Sequence, residues 1–321
     1  MKKREIGIDI LRGICAALIV LLHFPFLGMA GKIVSIIARV AVPVFFMCSG
    51  YFLNKIGECD SFIIKKKVFH IIKIIIPAVI LYIGYTIYRE GIRYVISEIN
   101  IANLAKLIVF NAPQISSMHL WFLFALVYVY IIYFAMCKLK FQRFKILIAA
   151  LCLAVNLLIR EVLFALGIDI LAQFVRNAYF FGLPFFIIGT WIRDSKDWLQ
   201  KIETGKWCAM AVCGLIVSIL ENHFLCNYTL ELGFGTIIYA VSVFVVALRY
   251  KGGDILKLAY LGKKCSLYMY VIHFIVGTLV FKWIATEASH FWIATLMTLF
   301  ISTVISIVLA LVVDKMERRK E

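Results

Sequence analysis

The chain has 321 residues, of which 64% are hydrophobic and 15% aromatic, and its mean hydropathy is +0.97. This composition excludes an ordinary soluble domain and is typical of a protein that lies in the membrane almost throughout. The net charge of +16 comes from short cationic groups between apolar runs, which favours positive-inside topology over nucleic-acid binding. The nine cysteines are isolated and mostly lie in apolar segments. We therefore expect small buried side chains, and neither a disulfide framework nor a structural metal.

Apolar segments long enough to cross a bilayer recur along the chain, and about ten are predicted. They cover 8–27, 33–54, 70–88, 119–137, 144–160, 171–192, 207–221, 231–249, 266–285 and 291–313. With the N-terminus inside, alternating spans place most of the 34 Lys and Arg residues at cytoplasmic ends. We predict an all-α, polytopic membrane helix bundle with both termini cytoplasmic. Residues 1–321 are expected to form one integral membrane domain, with a retained signal-anchor helix first and no soluble domain.

The first segment contains three ionisable residues, Asp9, Arg12 and His23, in an otherwise apolar helix. Arg12 and His23 lie on one helical face, about three turns or roughly 16 Å apart. Asp9 lies one turn before Arg12 and can pair with it. Because a charged group at membrane depth costs about 2.5–3.5 kcal/mol, we interpret this face as a functional site in the bundle interior. Alternatively, Asp9 and Arg12 extend to the cytoplasmic headgroups and His23 is a hydrogen-bonded core histidine.

The second segment contains another costly cation, Arg39, followed by Pro43. Pro43 removes a backbone donor, and the Ser49-Gly50 pair allows close helix approach. Arg39 either counters a carboxylate, binds an anionic group or anchors the outer end of the helix. These interpretations stay open from the residues alone.

Cations then precede the third segment and polar residues follow it. Lys65, Lys66, Lys67, His70 and Lys73 lie at the predicted cytoplasmic end, where they suit phosphates or anionic headgroups, or determine topology alone. The connection at about 89–118 is the longest on the predicted outer side. We expect a re-entrant or partly helical loop there, able to approach an external substrate.

The fourth, sixth and ninth segments each contain polar residues that either stabilise the fold or belong to a functional site. His119 and Trp121 lie at the boundary of the fourth segment and are either site residues or part of an interfacial belt. Arg176 in the sixth segment is costly unless paired, and Glu161 is a candidate partner. His273 shares a helical face with Ser266 in the ninth segment, where a bond to a backbone carbonyl is the commoner role.

Taken together, these segments resemble the family 3 membrane acyltransferases, which transfer acyl groups, usually acetyl, to envelope glycans and related acceptors. The resemblance rests on five motifs that occur in family order. They are Asp9-x-Leu11-Arg12-Gly13 with His23, Arg39-x-x-x-Pro43-x-Phe45-Phe46-x-x-Ser49-Gly50-Tyr51, His119-x-Trp121-Phe122-Leu123, Phe181-Gly182-x-Pro184-Phe185-Phe186-x-x-Gly189, and Leu261-Gly262-x-x-x-Ser266-x-Tyr268-x-x-x-x-His273. One departure is His70-x-x-Lys73, where the family commonly has Arg-x-x-Arg, since lysine lacks the bidentate guanidinium fork.

The resemblance implies that Arg12 and His23 are essential and that the donor is cytoplasmic acyl-CoA, here acetyl-CoA. We expect that no metal takes part. We expect Arg39 to join them in catalysis, with His23 as general base or acyl carrier. The acceptor implied is an envelope polysaccharide or lipid-linked glycan at the bacterial cytoplasmic membrane. Membrane lipid and glycan-assembly proteins are the other expected partners, and nucleic acid is not. Residues expected to bind substrate or cofactor are Asp9, Ser49, Tyr51, Lys66, Lys67, His70, Lys73, His119, Trp121, Arg176 and His273.

Two other functions stay open. The same resemblance covers the membrane part of serine racemases linked to vancomycin resistance, and intramembrane arginine and histidine suit a transport pathway equally well. A non-catalytic scaffold for glycan assembly is the third interpretation. A CoA-binding measurement distinguishes the enzyme from the transporter and the scaffold, since only the enzyme requires CoA.

Overall fold

The computed structural model describes residues 5–54, 59–113, 118–165, 172–224, 231–285, 287 and 290–318. At residues 54, 160–165 and 172–173 only the backbone is described. These parts of the chain contain helices and no strand, which confirms the all-α prediction. The helices are α1 Ile6–His23, α2 Gly28–Ala38, α3 Ala41–Asn54, α4 Ser61–Glu90, α5 Ile92–Glu98, α6 Ile101–Phe110, α7 Trp121–Lys138, α8 Lys145–Ala165, α9 Ala172–Val175, α10 Leu183–Asp194, α11 Lys196–Lys201, α12 Thr204–Phe224, α13 Phe234–Arg249, α14 Leu258–Tyr260, α15 Ser266–Ile284 and α16 Phe291–Arg318.

The predicted spans coincide with helical segments. Among the described residues, eight segments are long and apolar enough to cross a membrane. The predicted span 231–249 is the shorter helix α13, and 171–192 is divided into α9, a π-helix at Ala178–Gly182 and α10. The chain is a multi-pass membrane protein, while the number of crossings and the orientation of its ends stay predictions.

Proline explains two helix boundaries that differ from the predicted ones. The predicted first span reaches residue 27, but α1 ends at His23, because Phe24 precedes Pro25 and takes an extended φ of −129°. The predicted span 33–54 is interrupted between α2 and α3. Pro43 has no N–H to bond the carbonyl of Arg39, so a new helix begins at Ala41 with the proline in its first turn.

The chain divides into two compact units, which are described separately. Unit 1 contains Met1–Phe45 and Asp197–Glu321, and unit 2 contains Phe46–Lys196. In unit 1, α1 packs against α2, α13, α14, α15, α16 and the π-helix Leu261–Cys265. Because these elements pack around α1, Asp9 is buried, whereas Arg12 and His23 are half-buried.

In unit 2, α4 packs on α7, and α8 packs on α10. The predicted partly helical loop at about 89–118 is confirmed by α5 and α6. Three asparagines fix the backbone around the π-helix Ala178–Gly182. Asn177 accepts from Tyr179 and Phe180 N–H, Asn111 accepts from Ala178 N–H, and Asn156 donates to the carbonyls of Val175 and Phe180.

The expectation for the cysteines is wrong at several positions. Cys59 and Cys137 form a disulfide in unit 2 across a sequence separation of 78 residues, and Cys208 and Cys213 are exposed. Cys15, Cys48 and Cys265 are buried thiols, as expected. No local sequence pattern marks this pair, because only the fold brings together the segment before α4 and the last turn of α7.

Candidate active site

Arg12 is held between an oxygen of its own helix and one of α15. Its Nη1 lies 3.6 Å from Asp9 Oδ1, which confirms the expected pairing, and its Nη2 donates to Ser266 Oγ at 3.4 Å. Ser266 Oγ in turn donates to the Gly262 carbonyl at 2.8 Å. Asp9 is buried, whereas the Arg12 side chain is 26% exposed. Arg12 is therefore an oriented cation that a ligand can reach.

Two glycines, Gly13 and Gly262, allow the backbone of α1 to approach that of the residues before α15, and this contact positions Ser266 beside Arg12. A Cβ on Gly13 would overlap the carbonyl oxygen of Leu258, and a Cβ on Gly262 would overlap the carbonyl oxygen of Asp9. The first turns of α1 and the π-helix Leu261–Cys265 thus meet backbone to backbone. This contact places Ser266, the first residue of α15, beside Arg12.

At the other end of α1, His23 lies against His273. The two ring centroids are 5.1 Å apart, and Phe274 adds an edge contact to His23 at 6.1 Å. His273 is fully buried, and its Nδ1 lies 2.8 Å from the Tyr270 carbonyl and 3.1 Å from that of Met269. Because a carbonyl only accepts, Nδ1 carries a proton, and in the neutral ring Nε2 is the acceptor. The expected bond from His273 to the backbone is confirmed.

Arg39 contacts a carboxylate, one of the alternatives that its position left open. Its Nη1 lies 2.6 Å from Glu231 Oε2, and the two side chains are 12% and 23% exposed. Glu231 precedes α13 and is distant in sequence from Arg39. The ion pair gives Arg39 a structural role in unit 1, and its participation in catalysis stays a prediction.

The predicted donor-binding cations lie along the first half of α4. Lys66, His70 and Lys73 are exposed and Lys67 is half-buried. Lys73 Nζ lies 4.6 Å from the centre of the Phe69 ring. Exposed cations on one helix suit either phosphates or lipid headgroups, so this arrangement leaves both interpretations open.

The other predicted site residues of unit 2 have different partners. Tyr51 is fully buried, and its hydroxyl accepts from Arg193 Nη1 at 3.3 Å. His119 is buried with its ring centroid 4.7 Å from that of Tyr82, which argues against the interfacial-belt interpretation for His119 and leaves it open for Trp121. Trp121 is half-buried and packs edge-on to Phe181 at 5.7 Å.

Ser49 and Arg176 are half-buried, and their roles stay predictions. The proposed partner of Arg176, Glu161, has its side chain outside the described residues.

Ser266 and Glu231 were not among the residues predicted for the site. Ser266 was visible as part of the Gly262-x-x-x-Ser266 motif, yet its partner Arg12 is 254 residues away. Glu231 was visible only as a lone carboxylate at the start of the predicted span 231–249. In both cases the signal was present, but the pairing depended on the tertiary structure.

The chain matches the model of a known protein family. The family model described as an acyltransferase domain, acyltransferase 3, matches residues 5–313. The chain belongs to the acyltransferase-3 family. This confirms the resemblance carried by the five motifs and indicates a membrane acyltransferase. No solved structure gives a significant match.

Curated relatives of this acyltransferase-3 chain include racemases of enterococci. An amino-acid racemase of Enterococcus faecalis is 32% identical over 216 residues, which are 61% of this chain and 29% of that protein. A second one from the same organism is 33% identical over 132 residues, 38% of this chain and 18% of the relative. A serine/alanine racemase of Enterococcus gallinarum is 25% identical over 238 residues, 68% of this chain and 33% of the relative. The chain thus aligns with a third or less of each relative, and the predicted relation to racemases is confirmed.

Proposed function

We propose that this acyltransferase moves an acyl group, in the simplest case acetyl, from acyl-CoA to a hydroxyl of an envelope polysaccharide or lipid-linked glycan. The observation that carries the proposal is that α15 contacts Arg12 and His23, the two residues of α1 that the family resemblance implies are essential. Ser266 contacts Arg12 and His273 contacts His23. A cation and an imidazole held on one interior helical face provide one group for an anionic donor and one for proton transfer.

Arg12 is the proposed contact for the phosphates of the donor. A guanidinium binds phosphate through paired N–H groups, and the 26% exposure of this side chain leaves room for a ligand. Separately, the exposed cations of α4 in unit 2 are proposed to bind phosphate. Under the predicted topology, Arg12 lies toward the cytoplasm, where acyl-CoA is available.

His23 is the proposed base, about three turns further along α1, roughly 16 Å from Arg12. The acceptor hydroxyl attacks the thioester carbonyl, its proton passes to His23, and the C–S bond breaks as the new C–O bond forms. His23 then gives this proton to the CoA thiolate, so that the acyl ester and free CoA are the products. Since one reacting atom cannot contact both residues across this distance, the donor is proposed to lie extended along α1.

The test is transfer of radiolabelled acetyl from acetyl-CoA to endogenous glycan in membranes, with CoA binding measured on the purified protein. We expect His23→Ala to bind CoA normally and to lower transfer by about 100-fold or more. Arg12→Ala is expected to weaken CoA binding by about tenfold or more, since a charge-assisted phosphate contact is lost.

Matched controls are His223→Ala and Arg143→Ala, which remove exposed residues of the same types. Both should transfer acetyl like the wild type. Full transfer by His23→Ala would refute its assigned role. If the wild-type protein neither transferred label nor bound CoA, the proposed enzymatic function would be refuted and a transport function favoured.

A further inference from the structure

A groove in unit 1 lies outside the candidate active site. It has a volume of about 500 Å³ and is formed by α1, α13 and the residues that follow α13. This volume lies within the range of pockets that hold small ligands, about 300–1,000 Å³. Its apolar part contains Ile10 and Ile14 of α1 and Val243 and Val246 of α13.

The groove uses the face of α1 that points away from Arg12 and His23. At about 100° per residue, Ile10 and Ile14 fall on the opposite side of the helix from these two residues. None of the candidate active-site residues described above lines the groove. A ligand bound there therefore occupies a second site.

The groove is cationic at one end. Arg249, the last residue of α13, donates from Nε to Thr204 Oγ1 at 2.8 Å and from Nη1 to the carbonyls of Leu199 and Gln200 at 3.1 Å. These bonds orient the guanidinium, and within the described part of the chain Nη2 has no bonding partner. Exposed Lys251 lines the same end, and the described lining residues include no carboxylate.

The apolar and cationic parts are arranged along the helix axis. Val243 lies about 9 Å from Arg249 along α13, so the aliphatic walls extend away from the cationic end in the direction of the helices. A ligand that fits has an anionic phosphate at one end and an aliphatic chain at the other. Soluble phosphates lack the chain, and zwitterionic lipids such as phosphatidylcholine lack the net negative charge because a choline cation offsets their phosphate.

We propose that this groove binds one anionic phospholipid. Its phosphate contacts Arg249 and Lys251, and one acyl chain lies along Ile10, Ile14, Val243 and Val246. The site is independent of acyl transfer, so it stands or falls separately from the proposed function.

The test is native mass spectrometry of the purified full chain with phosphatidylglycerol and phosphatidylcholine of identical acyl chains. We expect the wild type to retain one phosphatidylglycerol in preference to phosphatidylcholine. Lys251→Gln should weaken this retention about fivefold, the effect expected for one cation near a lipid surface. Val243→Trp fills the apolar part and should abolish retention.

Two controls change the same residue types outside the groove. Lys257 and Val212 are exposed and do not line it, so Lys257→Gln and Val212→Trp should bind like the wild type. Excess glycerol phosphate should not displace the lipid, because it cannot fill the apolar walls. Equal retention of both lipids, displacement by glycerol phosphate, or a Lys251→Gln variant that binds like the wild type would overturn the proposal.

Discussion

At the scale of single residues, the charged groups of unit 1 are compensated by partners that are far away in sequence. Arg12 contacts Ser266 as well as its neighbour Asp9, and Arg39 contacts Glu231. Such partners are required because an uncompensated charge in a membrane interior is costly. Each pair also fixes the direction of a side chain, which a binding site needs.

His273 provides a test of positioning at this scale. Asparagine can place its amide N–H near the position of the imidazole Nδ1, so His273→Asn keeps a donor for the Tyr270 carbonyl and removes the ring beside His23. We expect thermal stability and CoA affinity close to the wild type, with kcat for acetyl transfer lowered about tenfold or more. Thermal unfolding, CoA binding and kcat should be measured in parallel.

The matched control is His223→Asn, which changes an exposed histidine and should leave kcat unchanged. If His273→Asn transferred acetyl at the wild-type rate, His273 would have no positioning role, and its contact with His23 would be packing alone.

At the scale of elements, close backbone contact between α1 and the π-helix Leu261–Cys265 sets the geometry around Arg12. This π-helix is a single wide helical turn just before α15, and such turns are frequent at functional sites. Gly13 and Gly262 permit the approach because a side chain on either would overlap a backbone carbonyl. The position of Ser266 beside Arg12 thus depends on two residues that have no side chain.

Gly262→Ala should disrupt this contact. Overpacking against a backbone carbonyl costs about 1–3 kcal/mol, so we expect a lower unfolding temperature in detergent and weaker CoA binding. Gly84→Ala is the control, because Gly84 lies inside α4 and a Cβ added there would meet no atom within 4 Å beyond its chain neighbours and the helix's own backbone. Alanine there should be neutral or stabilising by about 0.5–1 kcal/mol. If both substitutions changed the unfolding temperature and CoA binding equally little, the close contact between α1 and the π-helix would not be needed for stability or binding.

At the scale of the whole molecule, the distribution of charge along the chain predicts how the protein lies in the membrane. The positive-inside rule places the start of α1 in the cytoplasm and the segment of α5 and α6 outside. This predicted orientation matters for the proposed function, because it would put Arg12 toward the compartment that contains acyl-CoA.

Cysteine labelling in a cysteine-free background tests the orientation. Arg93 and Lys201 are both exposed and are predicted to lie on opposite sides. A membrane-impermeant maleimide should label Arg93→Cys in intact cells and Lys201→Cys only after permeabilisation. The reverse pattern would contradict the predicted orientation and would place Arg12 on the side away from acyl-CoA.

From the sequence alone came the membrane class, the approximate positions of the apolar helical segments, the resemblance to the family and the shared face of Asp9, Arg12 and His23. The membrane class, the helical segments and the shared face follow from local periodicity and from the cost of burying charge, both of which a single segment reveals. The family followed from the resemblance of five motifs spread along the chain. Only the tertiary structure decided the contact of His23 with His273, the Arg39–Glu231 pair and the Cys59–Cys137 disulfide. Their partners come from distant segments, and which side chains meet depends on how the helices pack rather than on any local pattern.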